Sequence, residues 1–136
     1  MANEIATKET VKPSVLELLL SSTVPNVSKE LPTAEYKVSR LSELTGEDAV
    51  FTLQALPYGK VHDTERFTED TDVHILLAGC VKPDLKDPRL MEKFGGATPA
   101  DTVKRLLLPG EIADLSQAVE KLSGYRHLTI QEVKNA

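Results

Sequence analysis

The sequence predicts a small α+β domain that is mainly helical, with a short β-hairpin near residues 35-56. Three observations carry that reading. Thr98-Pro99-Ala100-Asp101 and Pro109-Gly110-Glu111 read as helix starts, because a first-turn proline and an early acid suit the free N–H groups there. From Ile112 onward the apolar residues Leu115, Val119 and Leu122 recur at spacings of three and four, the period of an amphipathic helix. Ala49 to Leu56 alternates instead, with Phe51, Leu53 and Ala55 on one side and Val50, Thr52, Gln54 and Leu56 on the other, the period of a half-buried strand. At 136 residues the chain fits a single domain. It is expected to carry an N-terminal arm and helix over about 1-24, a linker over about 24-33 and a flexible tail over about 126-136.

The first dozen residues are polar and charged. Pro13-Ser14-Val15-Leu16-Glu17 then opens a helix, with Ser14 three residues ahead of Glu17 as in a capping box, and Leu16, Leu19 and Leu20 share one face. Ser21-Ser22-Thr23 and Pro25 end it, since hydroxyls compete for backbone hydrogen bonds and proline cannot continue a helix. From Glu35 to Leu41, Tyr36 and Val38 alternate with Lys37 and Ser39 as in a short strand, while Arg40 to Leu44 fits equally the start of a helical turn. Gly46 breaks either one. A hairpin would place Thr45-Gly46-Glu47-Asp48 in its loop.

Beyond Pro57 helices dominate. A polar helix is expected near Tyr58 to Phe67, and another over Asp70 to Val81, with acids at its positive end, an apolar body and Lys82-Pro83 as its stop. Asp87 and Pro88 begin a short helix bearing Leu90, Met91 and Phe94, which Gly95-Gly96 terminates. The helix opened by Thr98 holds Val103, Leu106 and Leu107, and Gly124 stands where the last helix needs a left-handed cap. Tyr125 to Ala136 has β-branched residues but no period, so it reads as a tail or as a segment that orders on a partner.

Trp is absent and aromatics make up only 4%, so aliphatic side chains must build the core. The formal charge of -5 and pI near 5.2 argue against a nucleic-acid partner, because phosphate binding depends on clustered Lys and Arg. Acidity concentrates where Glu43, Glu47, Asp48, Asp63, Glu65, Glu69, Asp70 and Asp72 face only Lys60 and Arg66. The single cysteine, Cys80, lies in the apolar run Ile75 to Val81 and suits a buried thiol in a reducing cytoplasm. No stretch reaches the ~20 apolar residues of a membrane span, and Met1 to Pro13 lacks the apolar core of a secretory signal.

No catalytic constellation is expected. His62, His74 and His127 stand apart, without the spacings that gather metal ligands, and His74 reads as a helix histidine among buried residues. Asp63 to Asp72 lacks the alternating ligands, central glycine and terminal Glu of an EF-hand, so it reads as a solvated loop and helix start. Gly95-Gly96-Ala97-Thr98 is half a phosphate loop with no Lys in place, and breaking one helix while capping the next accounts for it. Cys80 has no neighbouring base to make it a nucleophile. Neither a cofactor nor a metal is expected.

Several segments, taken in order, nevertheless carry a resemblance. They are Ser14 to Leu20, Tyr36 to Leu41, Phe51 to Leu56, Ile75 to Val81, Leu85-Lys86-Asp87, Thr98 to Asp101, and Leu106-Leu107-Leu108-Pro109-Gly110-Glu111-Ile112 running to Leu122-Ser123-Gly124-Tyr125. In these the chain resembles the XkdN-like phage tail assembly chaperones of tailed phages and PBSX-like defective prophages of Gram-positive bacteria. The resemblance implies a non-enzymatic cytoplasmic protein that binds the tape measure protein and helps tail tube subunits polymerise around it, absent from the finished virion. The tail tube protein is a second candidate partner, and self-association into a homo-oligomer is a third route to contact. The alternative from another class is a minor tail or head-tail connector protein retained in the particle. Partner contacts are expected at the chain ends, at Leu16, Leu19 and Leu20 and at Tyr125, Leu128 and Ile130, because a short apolar helix and an aperiodic tail are poorly committed to a core.

Overall fold

The structure, a computed structural model, describes residues 12–134. The start of the expected N-terminal arm and the last two residues of the expected tail lie outside the described residues. The chain divides into two units, Met1–Glu30 and Leu31–Ala136.

In the first unit, α1 (Val15–Leu20) starts where the cap was expected: the Glu17 N–H donates to Ser14 Oγ at 3.2 Å. It ends at Ser21, whose extended backbone leaves the helix. Turns follow, with no regular element before the first strand.

The second unit begins with β1 (Thr33–Lys37), followed by α2 (Ser39–Thr45) and β2 (Val50–Gln54). The two strands pair antiparallel, with Tyr36 opposite Phe51 and Ala34 opposite Leu53. A helix, not a tight loop, joins them. The strand stops at Lys37 because Arg40 to Leu44 takes up the helical alternative, with Gly46 closing α2 in the left-handed conformation at φ 79. Ser42 holds the return in place: its hydroxyl donates to Val38 O at 2.9 Å and accepts the Ala49 N–H at 2.8 Å.

After β2 come α3 (Tyr58–Glu65), α4 (Thr71–Gly79) and β3 (Cys80–Lys82). The expected helix over Asp70 to Val81 therefore ends two residues early. Cys80 and Lys82 pair instead with Leu53 and Thr52, completing a sheet of order β1-β2-β3. Gly79 is the pivot, since a Cβ there would lie 2.6 Å from both methyls of Val119. Then follow α5 (Pro88–Phe94), α6 (Pro99–Leu106) and α7 (Pro109–Leu122), making seven helices among the described residues. Asp87 and Thr98 cap α5 and α6 as expected, through the Arg89 N–H at 2.9 Å and the Asp101 N–H at 3.2 Å. The fold class is thus the small helical α+β domain that was expected.

The core lies between one face of the sheet and α4, α6 and α7. Phe51 and Leu53 meet Val73 and Leu76 of α4, Val103 of α6, and Ile112, Leu115 and Val119 of α7, all of them buried. Ser123 ties the end of α7 to the end of β2, accepting the Leu56 N–H at 2.8 Å while donating to Val119 O at 2.8 Å. Among the described residues no buried side-chain polar atom lacks a hydrogen-bond partner.

Candidate functional site

The residues expected to meet a partner are exposed. Leu16, Leu19 and Leu20 are 65%, 59% and 75% exposed on α1, and Val15 and Leu18 are open as well, so every residue of α1 except Glu17 presents aliphatic surface. In the second unit Leu128 and Ile130 are 83% and 76% exposed on a segment with no helix or strand. Tyr125 differs, because its ring lines a small cavity of about 210 Å³ with Leu56, Val61 and Ile75, and its N–H donates to Glu120 O at 2.9 Å.

A larger groove, of about 610 Å³, runs between β1 and α7. Its floor is apolar, from Val38, Leu115 and Ala118, with Tyr36 standing at one wall. Lys37, Asp114 and Lys121 rim it. One end is closed by an ion pair: Arg40 Nη2 and Nε donate to Glu111 at 2.9 Å and 3.0 Å, and Nη2 also donates to Leu106 O at 2.9 Å. Glu111 in turn accepts the Leu108 N–H at 2.7 Å, so one carboxylate caps α7 and anchors α2. The Arg40 hydrogen bonds hold the Glu111 carboxyl below the usual range against the opposing effect of burial, and raise Arg40 in return. The groove was not legible in the sequence, because its two walls come from segments 71 positions apart at the Arg40 and Glu111 contact.

The other chemical candidates sit apart. His74 is half-buried on α4 and stacks on Phe67 with ring centroids 3.6 Å apart, while His62 and His127 are exposed. Cys80 is half-buried, its thiol donating to Lys82 O at 3.3 Å, and burial pushes it up to about 12, with Asp84 adding to the effect. Such a thiol stays protonated and unreactive at neutral pH. Among the described residues no three His, Cys, Asp or Glu side chains converge as metal ligands, and no helix is long and apolar enough to cross a membrane.

The surfaces this unit offers are an apolar groove and exposed aliphatic segments. Residues 59–136 match the family model described as phage XkdN-like tail assembly chaperone protein, TAC. The chain belongs to that family. The matched span runs from α3 through α7 and includes the helix wall of the groove as well as Tyr125, Leu128 and Ile130. The tail assembly chaperones are not a known enzyme family, and their general role is in building phage tails. No curated protein matches the chain. Among solved structures, the crystal structure of the protein YqbN is similar, with a TM-score of 0.62 at 17% identity over 85% of this chain and 99% of that one. That likeness is one of fold.

Proposed function

We propose that this tail assembly chaperone binds the tape measure protein in the host cytoplasm, assists tail tube polymerisation around it and is left out of the mature virion. Family membership over residues 59–136 carries the reading. The exposed aliphatic surface of the chain supports it. A long helical tape measure shows apolar stripes before assembly, and α1 offers Leu16, Leu19 and Leu20 to cover them. At six residues α1 is well below the ~12 to 15 at which isolated helices become marginal in water, so a docking surface would stabilise it. Tyr125, Leu128 and Ile130 contribute to partner contact or self-association from the other end.

Co-expression with the tape measure protein tests this. The native chain should co-purify with it, and the triple substitution Leu16→Asp, Leu19→Asp and Leu20→Asp should reduce recovery at least tenfold while the second unit stays folded. Undiminished recovery would remove α1 from the contact. Mass spectrometry of purified virions should lack peptides of this chain, and finding them in stoichiometric amount would favour a retained tail or connector protein.

A further inference from the structure

The cavity of about 210 Å³ beside Tyr125 is walled by α3, α4 and the end of α7. Leu56, Val61 and Ile75 give it an apolar lining, Tyr125 adds an aromatic surface, and Glu65 and Glu120 bring in two carboxylates. Val61 and Glu65 stand four residues apart and so share one face of α3. Pockets that take a small molecule usually hold ~300 to 1,000 Å³, so this one suits a single large side chain. Every lining residue but Leu56 falls within the span 59–136 that matches the family, whereas the β1 wall of the larger groove falls outside it.

Charge decides which side chain fits. No Lys or Arg lines the cavity among the described residues. Glu65 also has no Lys or Arg within 4.0 Å among them, its near neighbour being His62 at 3.5 Å. From Tyr58 to Asp72 the chain carries Asp63, Glu65, Glu69, Asp70 and Asp72 against Lys60 and Arg66, so this side of the unit is acidic. Glu120 shows what such a carboxylate accepts: from outside the cavity lining, Arg126 Nε lies 3.2 Å from Oε2 and Nη2 donates to Oε1 at 3.3 Å. A carboxylate offers about four lone-pair sites, so that pair leaves Glu120 able to accept more. Arginine suits the combination best, because its stem packs on aliphatic groups while its guanidinium takes carboxylates and stacks on aromatic rings. A leucine seated there would cover the carboxylates without pairing them, which costs affinity.

We infer that the cavity receives an arginine from a helical segment of the partner, which on the reading above is the tape measure protein. The guanidinium bridges Glu65 and Glu120 over the Tyr125 ring, and the stem packs on Leu56, Val61 and Ile75. Arginine seated in a pocket that excludes water is among the side chains that dominate binding at protein interfaces. The second unit thereby holds a specific contact of its own, separate from the aliphatic surface of α1.

The full chain is tested against the full-length tape measure protein and against overlapping peptides of it. Glu65→Gln with Glu120→Gln should lower recovery of the full-length partner at least tenfold, and raised salt should weaken the native complex. By calorimetry, the tightest peptide should contain an arginine whose replacement by alanine lowers affinity at least tenfold on the native chain but less than twofold on the double variant. The Glu65→Arg chain should in turn prefer that peptide with glutamate in place of the arginine. Should the double variant fail to fold by circular dichroism, the same cycle is run with Glu65→Gln alone. A native chain that recovers no tape measure overturns the proposed function and this contact together. Recovery undiminished by the glutamate changes overturns the contact alone, as does a full-length complex with no binding peptide, or a peptide that couples to the cavity through an apolar residue. A fall in the mass of the chain by itself, seen by light scattering on the double variant, would assign the cavity to a second copy and overturn it too.

Discussion

The first and last described helices make opposite use of similar sequence. Both are leucine-bearing and both open with local start chemistry, yet α1 leaves every residue open while α7 buries Ile112, Leu115, Ala118 and Val119. Composition does not separate them; length and continuity of the apolar stripe do. α7 runs fourteen residues, enough for its stripe to recur along one face against the sheet and α4, whereas the six residues of α1 complete fewer than two turns. Apolar surface in α7 is therefore spent on stability, and in α1 it remains available to a partner.

The sharpest way to break this comparison is to put a charge on each stripe. Leu115→Asp should cost more than about 4 kcal/mol and unfold the second unit, because an unpaired carboxylate would replace a core side chain. Leu19→Asp should change stability by no more than about 0.5 kcal/mol. Leu122→Asp should fall between them, since that residue is only half-buried. Urea unfolding followed by circular dichroism measures all three, and equal losses at Leu115 and Leu19 would erase the distinction.

The contrast also marks what could be read without coordinates. Caps at Ser14, Asp87 and Thr98, the stop at Gly95 and the alternation across Phe51, Leu53 and Ala55 were legible because each depends on residues within a few positions. β3 was not, since three residues in an apolar run become a strand only by meeting β2. The same holds for the choice between strand and helix at Ser39 to Thr45, where tethers from Ser42 to Val38 and Ala49 decide. The exposed leucines were visible as candidate contacts, but the groove depends on β1 meeting α7 and has no local signal.

A second comparison has a smaller expected effect and uses glycines in two helices. Gly79 of α4 lies against Val119 of α7, and its absent Cβ makes that approach feasible. Gly79→Ala should destabilise by ~1 to 3 kcal/mol through overpacking, a cost that exceeds the helix-propensity gain of about 1 kcal/mol at most. Gly59 of α3 has nothing within 4 Å of its would-be Cβ, so Gly59→Ala should stabilise by up to about 1 kcal/mol. Opposite signs in thermal melts are the expected result, and a stabilising Gly79→Ala would mean that α4 and α7 pack less closely than described.

The smallest effect concerns the ion pair that closes the groove, and here the comparison is between the two ends of α7. The Glu111 carboxyl is held below its ordinary range in the folded chain, first by the hydrogen bonds from Arg40, with the Leu108 N–H assisting. Between the lowered folded value and an unfolded value of about 4.3, the unfolded chain binds more protons, so stability rises with pH across that window. The contribution is therefore complete above the unfolded carboxylate value and is lost as pH falls through the folded one. Glu111→Gln should be less stable than the native chain at pH 7, and the gap should narrow as the pH is lowered toward 3. High salt should narrow it too, because the pair is partly solvated. Ser123 at the other end of α7 carries no charge and serves as the control: Ser123→Ala removes the acceptor for the Leu56 N–H, and its cost should be insensitive to both pH and salt. If the Glu111→Gln deficit is as flat with pH as that of Ser123→Ala, neither the Arg40 pair nor the negative charge on the α7 cap adds to the stability of this face.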